Sequence, residues 1–457
     1  MFSIKEIIKA TQGALLSGKG SIKIKGVSID SRTAKPGDVF IAIKGEKFDG
    51  HDFIAQVIRK SAAALVVSES IKISDKRIPV IRVDDTTKAL GSLARFHRDR
   101  FSIPVIAITG SAGKTTTKEM VAAVLKTQYK VLKNIATENN HVGVPLTLLR
   151  IKKSHEAVVV EFGTNHFGEI RRLTFIANPT AAILTNIGES HLGFLKNLQG
   201  VFREKYDLVE SMRKPSSVLY NCDDPYLRKI KAKNSGHRLI RFGIHGECNY
   251  RAGSIEIKDN TFLQFKVNNA RTFCLRTPAA HNVYNALAAV SCADLFKVRY
   301  KNIQKALQRF RFPPGRLSVQ KFGSYHVIDD TYNANPISFR SAIGALNNFN
   351  TCGRKILVCA DMLELGGESK RLHESIGNLV ADSPLDCVVT VGRNSRFISQ
   401  MAKKKNKKLE VHHCTSFEAA QNRLKNYLQP KDIILVKGSR DMHMERMVSF
   451  IKDLAEK

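Results

Sequence analysis

The fold can be predicted outward from one stretch of sequence, Ile106-Ala-Ile-Thr-Gly110-Ser-Ala-Gly113-Lys114-Thr115-Thr116. An apolar strand runs into a glycine loop, and a helical pattern follows from about Thr116. Glycines let backbone N–H groups approach phosphate oxygens, and a helix N-terminus adds partial positive charge. The spacing is G-x-x-G-K-T, because Ile108 stands where the general phosphate loop has glycine. The stretch predicts a nucleotide site whose contacts are Gly110, Ser111, Ala112, Gly113, Lys114, Thr115 and Thr116.

Other charged side chains follow strands or lie in helical stretches elsewhere in the middle of the chain. Lys114 is expected to reach the terminal phosphates, and the Thr115 hydroxyl is expected to bind Mg²⁺. Glu161 ends an apolar strand, where a carboxylate near the ligand crevice can also hold Mg²⁺. His191 follows another strand, and Lys205 lies in a helix-like stretch. Kinases, motors, switches and ligases all use phosphate loops, so these residues alone leave the reaction open.

Short apolar strands alternate with helical patterns along the chain, which predicts parallel sheets and an α/β fold. Strands are predicted at 104–109, 157–162, 181–185 and 217–220, and again at 325–329, 355–360, 387–391 and 433–436. The sequence Arg311-Phe-Pro-Pro-Gly315 resembles a linker, because it cannot continue a helix. We therefore predict three domains: a small α/β domain at 1–84, a central phosphate-loop ATPase-like parallel sheet at 85–313, and a Rossmann-like domain at 314–457.

Composition narrows the class of protein. The chain has 457 residues, of which 43% are hydrophobic and 25% are charged, so each domain can bury a core. Neither a membrane span nor a signal peptide is recognisable, and we expect a cytoplasmic protein without membrane insertion. The 73 basic and 41 acidic residues give a formal charge of +32, which favours anionic partners. The dense run 403–408 contains no aromatic residue, which favours solvated surface over nucleic-acid binding.

The eight cysteines show no C-x-x-C spacing and fall mostly in apolar stretches. That pattern is typical of buried thiols in a reducing compartment. We therefore expect free cysteines, with neither a disulfide framework nor a structural zinc site.

Taken together, the order and spacing of the motifs resemble the Mur ligases, the ATP-dependent enzymes that build the peptide of peptidoglycan precursors. The motifs run from the first section to the last: Gly26-Val-Ser-Ile-Asp-Ser-Arg32, Asp49-Gly-His51, Asn139-Asn140, Glu161, His191, Lys205, His281-Asn-Val-Tyr-Asn285, Asp329-Asp-Thr-Tyr-Asn-Ala-Asn-Pro336, Asp361-Met-Leu-Glu-Leu-Gly366 and Val436-Lys-Gly-Ser-Arg440. The resemblance implies a ligase that activates a carboxylate as an acyl phosphate and then forms an amide bond.

Within that family, the last section resembles the member that joins D-alanyl-D-alanine to UDP-N-acetylmuramoyl-tripeptide. One alternative is the ligase that adds the third amino acid, but the D-N-P-R signature typical of that member is absent here. A second alternative, from another class, is a basic phosphate-loop ATPase stimulated by nucleic acid. We expect no nucleic-acid partner and a monomeric enzyme; the sequence does not identify the third residue of the tripeptide.

The resemblance also implies roles for individual residues. Lys114, His191 and Lys205 would be catalytic, with ATP and two Mg²⁺ ions as cofactors. Thr115 and Glu161 would hold one ion, and His191 with a carbamylated Lys205 the other. Four residues would contact ATP: Asn282, Asn285, Arg316 and Asp330. The expected substrate contacts are Ser31, Arg32, Asn140, Asn333, Asn335, Lys437, Ser439 and Arg440.

The chain departs from the family pattern at three places. Tyr206-Asp207 stands where Gly-Glu usually follows the special lysine, Ala279 replaces a glycine, and Thr137-Glu138 replaces Asn-Phe. These differences concern the fine geometry of the site rather than the reaction class.

Overall fold

Strands from each third of the chain assemble into separate sheets that helices cover. The computed structural model describes residues 1–45, 47–69, 77–136, 138–231 and 236–456, so Thr137 lies outside the described residues. The described strands form sheets of five, nine and six strands and one two-stranded ribbon. The predicted α/β fold with three domains is therefore confirmed, while the boundaries at 84 and 313 stay a prediction.

The first domain has a small mixed sheet. Its elements are β1 (Phe2–Ser3), α1 (Ile4–Thr11), β2 (Ala14–Ser17), β3 (Lys23–Ile24), β4 (Gly26–Ser28), β5 (Asp38–Ile41), α2 (Ile54–Arg59), β6 (Ala64–Val67) and β7 (Val80–Arg82). The strand order is β2-β7-β6-β5-β4, with only β2 antiparallel to its neighbour. Ser3 and Glu6 form a capping box, which fixes the start of α1.

The central domain contains the largest sheet. Its elements are α3 (Thr86–Arg98), β8 (Val105–Thr109), α4 (Lys114–Leu125), β9 (Val131–Lys133), α5 (Gly143–Leu149), β10 (Ala157–Glu161), α6 (Glu169–Ala177), β11 (Ala181–Leu184), α7 (Leu192–Leu195), α8 (Leu198–Ser211), β12 (Ser217–Asn221), β13 (Arg238–Gly243), β14 (Tyr250–Lys258), β15 (Phe262–Val267), β16 (Arg271–Leu275), α9 (Asn282–Leu295) and α10 (Tyr300–Gln308). The strand order is β16-β15-β14-β13-β12-β11-β8-β10-β9, and only the β14–β15 and β15–β16 pairs are antiparallel.

The third domain is a second, mostly parallel sheet. Its elements are β17 (Ser318–Phe322), β18 (Tyr325–Asp330), α11 (Pro336–Asn347), β19 (Lys355–Ala360), α12 (Ser369–Ala381), β20 (Cys387–Val391), α13 (Arg396–Lys405), β21 (Glu410–Cys414), α14 (Phe417–Tyr427), β22 (Ile433–Lys437) and α15 (Glu445–Ala455). The order is β17-β18-β22-β19-β20-β21, with β17 antiparallel to β18. Among the helices of the described ranges, none is long and apolar enough to cross a membrane.

Three neighbouring strands of the central sheet end at the same edge. β8 lies between β10 and β11, so Glu161 pairs with Ile108 and Leu184 pairs with Thr109. Every residue of these strands is buried, as expected for apolar strands with helices on both faces. The phosphate loop, Glu161 and the β11–α7 loop (residues 185–191) therefore meet at one edge of the sheet.

The prediction of free thiols is wrong for one pair of cysteines. Cys222 and Cys248 form a disulfide with their Cα atoms 6.6 Å apart, whereas the other six cysteines are free. Cys222 directly follows β12, and Cys248 lies shortly before β14, two strands away in the sheet. The two cysteines are brought together by the order of the strands in the sheet. Their spacing along the sequence therefore does not mark them as a pair.

Candidate active site

Two adjoining cavities lie between the central and third domains. The first has a volume of about 330 Å³ and is lined by the phosphate loop, Glu161, His191 and the start of α11. The second has a volume of about 370 Å³ and is lined by residues of α9, β12 and the β11–α7 loop. Ala112, Gly113, Arg316 and Asp330 line both cavities. A ligand could therefore extend past the phosphate loop from one cavity into the other.

The phosphate loop has the backbone that its glycines predict. Gly113 has a φ of +78°, and a Cβ there would lie 2.5 Å from Asn285 Oδ1, so a side chain would be both strained and crowded. The first helical hydrogen bond of α4 runs from the Thr117 N–H to the Gly113 carbonyl. The N–H groups just before Thr117 are therefore free to bind phosphate oxygens.

Two of the predicted N–H contacts are already paired within the protein. The Ser111 N–H donates to the backbone carbonyl of Asn186, and the Ala112 N–H donates to Asn186 Oδ1 at 2.8 Å. Lys114 Nζ donates to the Gly110 carbonyl at 2.9 Å, and burial lowers the pKa of this lysine. Asn186 thus braces the loop, while the Lys114 ammonium lies at its mouth.

Oxygen atoms gather around Glu161 at the floor of the first cavity. Glu161 is buried, and its carboxylate accepts hydrogen bonds of 2.8 Å from Thr115 Oγ1 and from Asn139 Nδ2. Arg316 Nη2 donates to Thr115 Oγ1 at 3.2 Å, so the third domain reaches this cluster. Asn140 also lines the cavity, but its Oδ1 accepts the N–H groups of Val142 and Gly143.

His191 and Lys205 occupy the neighbouring part of the site. The His191 side chain faces the third domain, where its Nδ1 lies 2.6 Å from Glu364 Oε2. Lys205 is buried beneath the surface rather than on the lining of the cavity. Burial, aided by the nearby Lys114 charge, lowers the pKa of Lys205 to about 7. No hydrogen bond or ion pair connects its amine with the part of the chain that the structure describes.

The second cavity is lined by amides from the first turn of α9. Asn282 and Asn285 are buried, and Asn285 Nδ2 donates to Asn282 Oδ1 at 2.8 Å. Thr117 Oγ1 donates to Asn285 Oδ1 at 3.0 Å, which ties α9 to α4. Thr116 lines the same cavity. These contacts place the predicted nucleotide residues of α9 directly behind the phosphate loop.

The third domain contributes a buried ion pair at the end of β18. Lys437 is fully buried and pairs with Asp330, and its Nζ also donates to the Asn333 carbonyl at 3.1 Å. Burial lowers the pKa of Lys437. Asp330 and Asn333 line the first cavity, whereas Lys437 lies behind them. Lys437 therefore supports the loop rather than lining the cavity itself.

The remaining predicted residues of the third domain differ in whether they reach the first cavity. Asn335 caps α11 and donates from Nδ2 to the Ser111 carbonyl at 3.2 Å, across the domain boundary. Ser439 is buried and donates to the Ala334 carbonyl. Arg440 is exposed and makes a long ion pair with Glu445. Of these, only Asn335 lines the first cavity.

Ser31 and Arg32 lie outside the two cavities. The Arg32 side chain is 84% exposed and pairs with Asp30 at 2.7 Å, which lowers the pKa of Asp30 to about 2. Lys60 Nζ donates at 2.8 Å to the carbonyls of both Ser31 and Arg32. The structure thus shows an ordered loop in the first domain, and the uridine role of this loop remains a prediction.

Sequence reasoning gave no role to four residues that the structure places in this region: Asn139, Asn186, Tyr332 and Glu364. Asn139 belongs to the Asn139-Asn140 motif, and its side-chain amide donates to Glu161. Asn186 follows β11, and that position at the end of a parallel strand was a usable signal. The Arg316 guanidinium lies 3.7 Å from the centroid of the Tyr332 ring. Glu364 belongs to the Asp361–Gly366 motif, but no local pattern marks its contact with His191, because His191 lies in another domain.

Replacing either member of the Asp330–Lys437 pair should destabilise the third domain. Asp330→Asn or Lys437→Met leaves one charged group buried without its partner, at a cost of about 3 to 5 kcal/mol. The double variant should cost clearly less than the sum of the two single variants. Chemical denaturation of the four proteins checks this expectation, and simple additivity would contradict it.

The stability of the protein should depend on His281 between pH 7 and pH 5. Burial lowers the pKa of His281 to about 4, against about 6.5 in an unfolded chain. The unfolded state therefore binds the extra proton first, so the free energy of unfolding falls as the pH drops through this window. His281→Gln should reduce the decrease in Tm between pH 7 and pH 5. The exposed His166→Gln is the matched control, and equal decreases in both variants would refute the expectation.

Comparison with known proteins agrees with this geometry. Family models match all three sections: the Mur ligase family catalytic domain at 23–98, the Mur ligase middle domain at 108–293, and the Mur ligase glutamate ligase domain at 315–440. The chain belongs to the Mur ligase family.

Individual relatives are similar over nearly their whole length. A Bacillus subtilis protein named UDP-N-acetylmuramoyl-tripeptide--D-alanyl-D-alanine ligase is 34% identical, over 99% of this chain and 98% of its own. The crystal structure of MurF from Acinetobacter baumannii has a TM-score of 0.90 at 34% identity and covers 100% of this chain and 99% of its own. MurF from Thermotoga maritima, solved in complex with ADP, has a TM-score of 0.84 at 28% identity and covers 94% and 98%.

Proposed function

We propose that this chain is the ATP-dependent ligase that joins D-alanyl-D-alanine to UDP-N-acetylmuramoyl-tripeptide. The observation that carries the proposal is the pair of cavities that share the phosphate loop, with Arg316 and Asp330 reaching them from the third domain. Relatives named for this reaction match the whole chain rather than one domain. The product is the UDP-N-acetylmuramoyl-pentapeptide used in peptidoglycan synthesis.

The first step joins two anions, so charge neutralisation and alignment are the main tasks of the protein. An oxygen of the tripeptide carboxylate attacks the γ-phosphorus of ATP, the bond to the β,γ-bridging oxygen breaks, and ADP leaves. Lys114 and Thr115 line the first cavity at the phosphate loop, where the helical hydrogen bonds of α4 have not yet begun. These groups bind the phosphates electrostatically and need no covalent intermediate with a side chain.

The residues of the first cavity fit Mg²⁺. Thr115 and Glu161 offer the oxygen ligands that this ion prefers, and the His191 imidazole lines the same cavity. We assign one ion to Thr115 and Glu161, and a second ion to His191 and a carbamylated Lys205. When bound, the ions would neutralise phosphate charge and polarise the phosphorus–oxygen bonds.

Carbamylation of Lys205 agrees with its surroundings. A lysine whose pKa is about 7 is about half neutral at pH 7 and mostly neutral at pH 8, and the neutral amine is the form that adds CO₂. The neutral nitrogen bonds to the carbon of CO₂ and loses one proton to solvent, which converts an uncharged amine into an anionic ligand. An unmodified ammonium at this position would repel a metal ion instead.

The second step uses the acyl phosphate as an electrophile. The amine of D-alanyl-D-alanine attacks the carbonyl carbon, the bond to the phosphate oxygen breaks, and phosphate leaves while the nitrogen loses a proton. Phosphate or substrate oxygens can accept that proton. Asn333 and Asn335 line the first cavity from the third domain, and we assign them to binding of the dipeptide or the phosphate. Contacts such as Asn335 with Ser111 close the site between domains and exclude water from the intermediate.

The other assignments follow from the same proposal. We place the uridine nucleotide at the first domain near Ser31 and Arg32, and we assign Lys437, Ser439 and Arg440 to supporting or substrate contacts. Because ATP and UDP-linked precursors are cytoplasmic metabolites, we propose a cytoplasmic enzyme. We also propose a monomer that binds no nucleic acid.

A matrix of substrates tests the proposal. Phosphate release from ATP and Mg²⁺ is measured with tripeptide precursors that contain either lysine or diaminopimelate, with and without D-alanyl-D-alanine, and with Lys114→Ala as the blank. We expect release only when a tripeptide precursor and the dipeptide are both present. Release with a dipeptide precursor and a single amino acid would instead indicate the preceding ligase. Stimulation by nucleic acid alone would indicate the ATPase.

A further inference from the structure

Glu364 belongs to the segment Asp361-Met-Leu-Glu-Leu-Gly366, which follows β19 in the third domain. The Glu364 carboxylate contacts a residue of the central domain, with its Oε2 lying 2.6 Å from His191 Nδ1. This contact lowers the pKa of Glu364. The Glu364 backbone carbonyl also accepts the Gly193 N–H at 3.2 Å. One residue of the third domain therefore contacts both the side chain of His191 and the helix that starts beside it.

The backbone makes this contact unusual. His191 has a φ of +54° and Glu364 has a φ of +62°, so both facing residues adopt the left-handed conformation. That conformation is costly for residues other than glycine. The two backbone segments also approach closely, because a Cβ on Gly366 would lie 2.9 Å from Gly193 Cα. The backbone segments around His191 and Glu364 are therefore closely packed where the two side chains meet.

The same loop of the central domain is fixed on its other sides. Ser111 Oγ donates to the Gly188 carbonyl at 2.9 Å, which links the β11–α7 loop to the phosphate loop. Arg340 Nη2 donates to Glu189 Oε2 at 2.9 Å from α11. Of these contacts between the third domain and the loop, within the described residues, only the one from Glu364 reaches the His191 imidazole. His191 lines the first cavity, whereas Glu364 does not.

We infer that Glu364 is a positioning residue for His191 and completes the second metal site only when the third domain is docked. A carboxylate against one ring nitrogen of a metal-binding histidine fixes the ring and its tautomer and leaves the other nitrogen for the ion. Because Glu364 and His191 belong to different domains, docking and metal affinity become linked. This inference rests on the proposed role of His191 as a metal ligand.

The test measures Mn²⁺ binding by electron paramagnetic resonance, with the whole protein and an ATP analogue that cannot be cleaved. We expect two bound Mn²⁺ ions of different affinity. Glu364→Ala should lower the affinity for the more weakly bound ion about 10- to 100-fold, and His191→Ala should abolish binding of that same ion. Glu364→Gln, which keeps the length and one acceptor oxygen, should restore part of the affinity. Arg340→Ala also breaks a contact between the domains but leaves His191 untouched, and it should change the affinity less than about threefold.

Two negative results have different meanings. If Glu364→Ala changes Mn²⁺ binding no more than Arg340→Ala while His191→Ala removes one ion, Glu364 does not position His191, and only this inference fails. If His191→Ala leaves both ions bound, the proposed metal site itself is wrong. Circular dichroism of all variants confirms that each protein is folded before binding is compared.

Discussion

Lys114→Ala should lower the rate of phosphate release about 10²- to 10³-fold with all substrates saturating. The Lys114 ammonium lies at the mouth of the phosphate loop and bonds to the Gly110 carbonyl at 2.9 Å. Removing a preorganised positive charge from the place where phosphoryl charge develops has effects of this size. The loss should affect kcat more than the KM for the tripeptide precursor, because we assign the uridine nucleotide of that substrate to the first domain.

Lys126→Ala is the matched control for this variant. Lys126 lies at the other end of the same helix, where its side chain is exposed. Its replacement should change the rate of phosphate release less than about twofold, since substituting an exposed residue away from the site and the core has small effects on the protein. A Lys114→Ala enzyme that keeps more than a tenth of the rate would contradict the assignment of the phosphate loop.

Removing CO₂ should inactivate the enzyme reversibly through Lys205. The pKa of Lys205 is about 7 because burial disfavours its charged form, so the neutral amine becomes more abundant as the pH rises from 6 to 8. Carbamate formation should increase over the same range. We expect activity to fall at least tenfold in CO₂-free buffer and to return with bicarbonate. Lys205→Ala should lose about 100-fold and should not respond to CO₂.

Another buried lysine provides an internal control. Lys118 is also fully buried, but its Nζ donates to the carbonyls of Asn134 and Ala136 at 3.1 Å. An ammonium held in this way should not react with CO₂. Carbon-13 NMR after exposure to labelled CO₂ should therefore show one carbamate signal that Lys205→Ala lacks. No signal in the wild-type protein, together with unchanged activity in CO₂-free buffer, would refute the modification.

The fold was predictable where strands are buried on both faces. β8, β10, β11, β19 and β20 are continuous apolar runs between turn residues, and each was placed within a residue of its observed bounds. β9, β13 and β21 were missed, because they are short or interrupted by charged and polar residues. The order of strands within a sheet was also beyond the sequence, since β18 pairs with β22 across most of the domain.

The candidate site divides in the same way. Gly113, Lys114 and Thr115 follow β8, and Glu161 ends the neighbouring strand β10, so strand-end patterns were enough to place them at one edge of the sheet. Contacts between domains carry no local pattern. The family resemblance implied that Arg316 contacts ATP but not that it bonds to Thr115, and the contact of Glu364 with His191 was not expected at all. Such pairs depend on how the sheets dock.

The most direct test of the ligase reaction follows the oxygen atoms. The enzyme is given ATP, Mg²⁺, D-alanyl-D-alanine and UDP-N-acetylmuramoyl-tripeptide whose terminal carboxylate is labelled with ¹⁸O. The proposed mechanism predicts that each phosphate released carries one ¹⁸O atom and that the product is the tripeptide precursor extended by one dipeptide. Unlabelled phosphate, or phosphate release that does not require the dipeptide, would contradict it.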